Sequence, residues 1–173
     1  MAAIRPDAIS FTTHQLHMCF RETNTVLASG TGFAYEKNGI NYLVTTWHNV
    51  TGRDPKTEAY LSDTMAIPDM ISTMFREIEQ PANCRREEIA LYCDSRMTEP
   101  LWYEHPHHGK SVDVVVIPVP EQICTKYRLF PINAIKFDRD YKEEVADESF
   151  VIGYPFAETT HLQLPIWKPR KYC

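Results

Sequence analysis

Leu43-Val44-Thr45-Thr46-Trp47-His48-Asn49-Val50 is an apolar run that steps through two threonines and a tryptophan onto one histidine. Its counterpart is Val112-Asp113-Val114-Val115-Val116-Ile117, where one aspartate opens a second apolar run, 65 positions after the histidine. Around the first stretch, Ala34-Tyr35 and Tyr42-Leu43-Val44 flank Asn38-Gly39, a dipeptide that favours the left-handed backbone of a two-residue hairpin turn. The reading is two antiparallel strands, the second ending at His48, followed by a turn at Gly52-Arg53-Asp54-Pro55. An imidazole and a carboxylate mounted on strands in this way are two members of a Ser-His-Asp triad.

Further along the chain, Ile67, Met70, Ile71, Met74, Phe75 and Ile78 follow helical spacing, and Pro68 suits a first helical turn. Ile71, Thr73 and Phe75 also alternate as a strand would, so periodicity leans to helix without excluding strand. Residues 81–88 read as a polar loop. Ile89-Ala90-Leu91-Tyr92 and Leu101-Trp102-Tyr103 read as a hairpin pair across Asp94-Ser95-Arg96. Val112 to Val119 is a buried strand closed by Pro118 and Pro120, and Phe150-Val151-Ile152-Gly153-Tyr154-Pro155 a last strong strand. Short strands with frequent turn signals predict an all-β barrel or sandwich with minor helix.

The stretch Gly30-Thr31-Gly32-Phe33, then apolar strand, Thr-Thr, aromatic and histidine, resembles the trypsin-like (chymotrypsin-fold) serine peptidases of the bacterial type. There a Gly-x-Gly-Phe strand precedes an apolar-Thr-x-x-His-x-Val segment carrying the catalytic base, which the resemblance assigns to His48. Many relatives have alanine where Thr46 stands. An Asp immediately before an apolar strand orients that histidine in the family, which assigns Asp113. Phe150 to Pro155 resembles the first strand of the second barrel, and Pro165-Ile166-Trp167-Lys168 the start of the next. The likeness spans about residues 24 to 168, is patchy between 54 and 100, and turns residues 70–75 into a strand.

The resemblance implies residues 1–23 as an N-terminal extension or first strand, 24–135 as an N-terminal antiparallel β-barrel bearing His48 and Asp113, and 136–173 as the first strands of an incomplete second barrel. The activity implied is peptide-bond hydrolysis, with a protein or peptide as substrate. The nucleophile is absent: Ser10, Ser29, Ser62, Ser72, Ser95, Ser111 and Ser149 all lack a Gly-x-Ser-Gly neighbourhood, and Cys173 is terminal. Without that turn there is no nucleophile to activate and no oxyanion hole. The expectation is a truncated peptidase, inactive alone. The alternative is a catalytically silent pseudo-peptidase that binds a peptide or protein.

Phe150, Val151, Ile152, Tyr154, Phe156, Leu162, Leu164, Ile166 and Trp167 would leave an apolar sheet edge in such an incomplete barrel, through which the chain could self-associate.

Composition narrows the remaining classes. The 173 residues are 43% apolar and 12% aromatic, enough for a packed core. A net charge of -5 with scattered Lys and Arg argues against nucleic acid. No window approaches the run of about 20 apolar residues a membrane helix requires, and Met1 to Asp7 has no signal-peptide core. Five cysteines (Cys19, Cys84, Cys93, Cys124, Cys173) without CxxC spacing read as reduced thiols, which together with the missing signal predicts a cytoplasmic protein. His105, His107 and His108, near Glu104 and Cys93, are the rival zinc cluster; loop histidines at such spacing fit no established zinc pattern, and no metal or cofactor is expected.

Overall fold

The computed structural model describes residues 7–80, 82–136, 147–155 and 163–170. Its main sheet begins close to the first described residues. After a 3-10 turn (Ala8–Thr12) capped by the Asp7 carboxylate, which accepts the Ile9 N–H at 2.8 Å, the chain enters β1 (Thr13–Phe20). Leu16 and Met18 point into the core on alternate positions. A bulge between Met18 and Cys19 shifts the register against β2 (Thr25–Lys37), and Cys19 is buried as well.

β2 turns into β3 (Ile40–Thr45) through Asn38 and Gly39, with φ of 55° and 78°, while Lys37 pairs with Ile40. This is the left-handed pair expected of Asn-Gly. The strand ends at Thr45, earlier than the sequence suggested: Trp47–Thr51 forms a short helix, α1, closed by Gly52 at φ 64°. His48 therefore sits on the helix rather than at a strand end.

Residues 70–77 are a strand, β4 (Met70–Glu77), against the helical lean of the periodicity. Met70, Ile71, Ser72 and Thr73 are all buried, because β4 lies between β1 and a further strand and is covered on both faces. Burial on both faces erases the period of two. That further strand, β5 (Cys84–Ala90), replaces most of the loop expected at 81–88. Its charged outer side chains hide it; Arg85 faces Glu77 at 2.9 Å, and Glu87 accepts the Tyr127 hydroxyl at 2.5 Å.

The expected hairpin beyond it survives only in part. Leu101 N–H bonds Leu91 C=O at 2.8 Å, but β6 (Tyr103–Glu104) pairs with β7 (Val115–Pro118) instead. β7 is shorter than the expected strand from Val112, because a tight turn bonds Val114 N–H to Val112 C=O around Asp113. A second short helix, α2 (Glu121–Cys124), brings Ile123 into the core, and β8 (Tyr127–Arg128) pairs with β4.

The strands are antiparallel throughout, in the order β5-β4-β1-β2-β3-β7-β6. Leu16, Leu43, Ile71, Phe75, Ile89, Val115 and Ile117 join one hydrophobic cluster, so both ends of the sheet bend over a common core. The fold is all-β with minor helix.

A separate two-stranded sheet, β9 (Ser149–Gly153) with β10 (Ile166–Arg170), carries the last predicted strand and its partner. Phe150 and Val151 are exposed there, as an apolar edge would be, whereas Tyr154 and Leu164 are buried against the main sheet. Phe156 and Leu162 lie outside the described residues. Among the described residues, no helix is long and apolar enough to cross a membrane, and Cys19, Cys84, Cys93 and Cys124 carry no disulfide.

Candidate functional site

Close packing on both sides of Gly32 sets the strand that leads to the site. A Cβ there would lie 2.8 Å from Leu16 Cδ1 and 3.0 Å from the Val44 carbonyl. Thr45, at the end of β3, donates its hydroxyl to Thr31 C=O at 2.9 Å and accepts from Asn49 Nδ2 at 2.9 Å. This fixes α1 to the end of β3. Trp47 on the same turn donates its indole N–H to Glu104 Oε1 at 2.7 Å. Glu104 sits opposite Val115 in β6, two residues beyond Asp113. One carboxylate thus ties the helix that carries His48 to the strand that follows Asp113.

His48 and Asp113, 65 positions apart, meet at two points. Asp113 Oδ1 accepts the His48 backbone N–H at 3.1 Å, and Oδ2 lies 2.7 Å from Nδ1. A carboxylate can only accept, so Nδ1 carries the proton. In the neutral ring Nε2 then bears a lone pair. The Thr46 hydroxyl, 3.1 Å away, donates to it. Both side chains are about one-third exposed, His48 at 38% and Asp113 at 35%. Solvent and ligands can reach the imidazole, whose orientation the carboxylate holds.

Thr46 joins this candidate site, although in the sequence it stands out only as one of two threonines before the histidine. The signal was positional. Once Trp47 starts a helix, Thr46 becomes its N-cap, two residues before His48 and within reach of the ring.

The seven serines are spread elsewhere. Ser29 lies 3.3 Å from His17 Nδ1, but among the described residues no carboxylate hydrogen-bonds this second imidazole. Burial, then the charge of Arg86, lowers the His17 pKa. Ser10 accepts the Trp167 indole N–H, and Ser72 faces Arg86. In the histidine loop, His105 Nδ1 accepts the backbone N–H groups of His107 and His108 at 3.3 and 3.2 Å, and its ring stacks on His108. Among the described residues, no three His, Cys, Asp or Glu side chains converge to hold a metal.

The Gly-Thr-Gly segment has a second contact. Thr31 Oγ1 accepts the Tyr154 N–H at 3.0 Å, and a Cβ on Gly153 would sit 2.9 Å from the same oxygen. The β9–β10 hairpin is therefore anchored on the strand that leads to the site. Comparison with protein-family models, with curated proteins and with solved structures finds no match to this chain.

Proposed function

We propose that His48 is the general base, and Asp113 its orienting carboxylate, of a trypsin-like serine endopeptidase acting on protein or peptide substrates in the cytoplasm. In this reading the main sheet is the first, chymotrypsin-like barrel and the β9–β10 hairpin begins the second. The observation that carries it is the double grip of Asp113 on His48, through backbone N–H and Nδ1 together. This contact selects the tautomer whose Nε2 can take a proton, and a carboxylate there stabilises the imidazolium that forms. Hydrolysis by a triad of this type also needs a serine in a Gly-x-Ser-Gly turn, and these 173 residues contain none. A complete triad therefore requires a serine that these residues do not supply.

The coding DNA read past the Cys173 codon in all three frames tests this. A strand followed by Gly-x-Ser-Gly is the expected result. In the polypeptide so extended, His48→Ala should lower kcat/KM for peptide cleavage by several orders of magnitude. If no frame offers the serine, the peptidase reading fails.

A second reading, a silent peptide- or protein-binding module, has one observation in its favour. Phe33, Val44, Val116 and Tyr103 stand in one cross-strand row on the outer face of the sheet, beside Tyr35 and Tyr42. Phe33, Tyr35 and Tyr103 are exposed, and an apolar face of this kind is a common partner surface.

A further inference from the structure

Thr46 occupies the helix N-cap, where a threonine hydroxyl ordinarily accepts a backbone N–H of the first turn. Here it makes no side-chain cap bond. It is turned instead to His48 Nε2 at 3.1 Å, and with Nδ1–H committed to Asp113 it must be the donor. Hydroxyl, imidazole and carboxylate are thus in line within one chain. A nucleophile requires the same arrangement: an O–H within hydrogen-bond reach of a base that a third group orients. Thr46 is half-buried rather than sealed.

We infer that Thr46 is a nucleophile in its own right, acylated by small activated carboxylic esters with His48 as base. The inference rests on the proposed roles of His48 and Asp113, and needs no serine. As Oγ1 adds to the ester carbonyl carbon, its proton passes to Nε2. The bond from that carbon to the leaving alkoxide or phenoxide oxygen then breaks, leaving acyl-Thr46, and the imidazolium returns its proton to the leaving group or to solvent. Water, deprotonated by Nε2, attacks the acyl carbon; the bond from that carbon to Oγ1 breaks, the imidazolium returns its proton to Oγ1, and the carboxylic acid departs. With a single methyl-bearing alcohol as nucleophile and no dedicated oxyanion turn in the sequence, the turnover is slow and the acyl form accumulates.

The test is incubation of the intact chain with p-nitrophenyl acetate, followed by mass mapping of the adduct. One acetyl group per chain on Thr46 is expected. Formation should be faster in Thr46→Ser, absent in Thr46→Val, and about 100-fold or more slower in His48→Ala. No adduct on Thr46, or the same labelling rate in His48→Ala, would overturn the inference. Should Thr46→Val fail to fold, the mapped position in the unaltered chain decides alone.

Proton NMR of the same sample separates the two readings. A low-field Nδ1 proton that disappears in Asp113→Ala, together with no labelling, removes Thr46 and leaves the base pair standing. Absence of that proton removes both.

Discussion

Burial, more than neighbouring charge, governs the chemistry of His14. Its ring packs on Phe75 at 5.2 Å, and Nε2 is buried with no hydrogen-bond partner among the described residues. Desolvation pulls its pKa down from 6.5 to about 4; a backbone hydrogen bond at Met74 opposes the shift and the Arg76 charge adds to it. The unfolded chain therefore takes up this proton more readily than the folded one. The stability from a neutral His14 is complete above pH 6.5 and is lost as pH falls through 4, by at most about 3 kcal/mol. Urea midpoints measured from pH 7 to pH 4 should fall more steeply in the unaltered chain than in His14→Leu, and parallel curves would refute it. At Gly32 the constraint is space rather than charge. Gly32→Ala must displace Leu16 or the Val44 carbonyl, and should cost about 1–3 kcal/mol by denaturant titration. The imidazole–carboxylate pair was legible because both residue types carry their chemistry in their names, and each opens or closes an apolar run. Thr46 was not, because its role depends on the helix that begins beside it.

Elements were legible where a single rule dominates. Asn38-Gly39 needs positive φ at both positions, and the turn follows. A Cβ at Gly39 would meet nothing within 4 Å, so Gly39→Ala is strained only by its φ of 78°. The expected loss is about 1 kcal/mol, with the sheet register unchanged in backbone chemical shifts. A larger loss, or a shifted register, would mean that the turn is held by contacts rather than by dihedral preference. Elements were misread where tertiary pairing overrides the local pattern. β4 is buried on both faces and shows helical spacing by accident of composition, while β5 is strand because β4 offers it partners at seven successive positions, Cys84 through Ala90. Its charges serve an exposed strand, with Arg85 and Glu77 paired across the surface. Such a pair between exposed groups contributes little. Arg85→Ala should accordingly leave the thermal midpoint almost unchanged, even though the residue lies within a strand.

At the scale of the whole molecule, Tyr154 is one of the joints between the two sheets. Its hydroxyl lies 3.1 Å from Thr13 C=O and 3.3 Å from Gln163 C=O, and its backbone N–H donates to Thr31. Burial of the ring pushes the phenol pKa up to about 12, so the side chain remains a neutral donor across the working pH range. The main sheet does not depend on this joint: its cluster runs from Leu16 to Tyr127 and draws nothing from β9 or β10. A two-stranded hairpin, by contrast, has marginal stability without a surface to pack on. Tyr154→Ala removes the ring and the hydroxyl together, and should release the hairpin while the main sheet stays folded. Hydrogen exchange can read both at once. The amides of residues 149–153 and 166–170 should lose protection in the variant, and those of β1, β2 and β3 should keep theirs. Tyr154→Phe keeps the ring and loses only the hydroxyl bond, so it should open the hairpin by about 1 kcal/mol without releasing it. If instead the protection of β1 to β3 falls in step with the hairpin in Tyr154→Ala, the two sheets fold as one cooperative unit. The β9–β10 hairpin would then be part of the framework that holds His48 against Asp113.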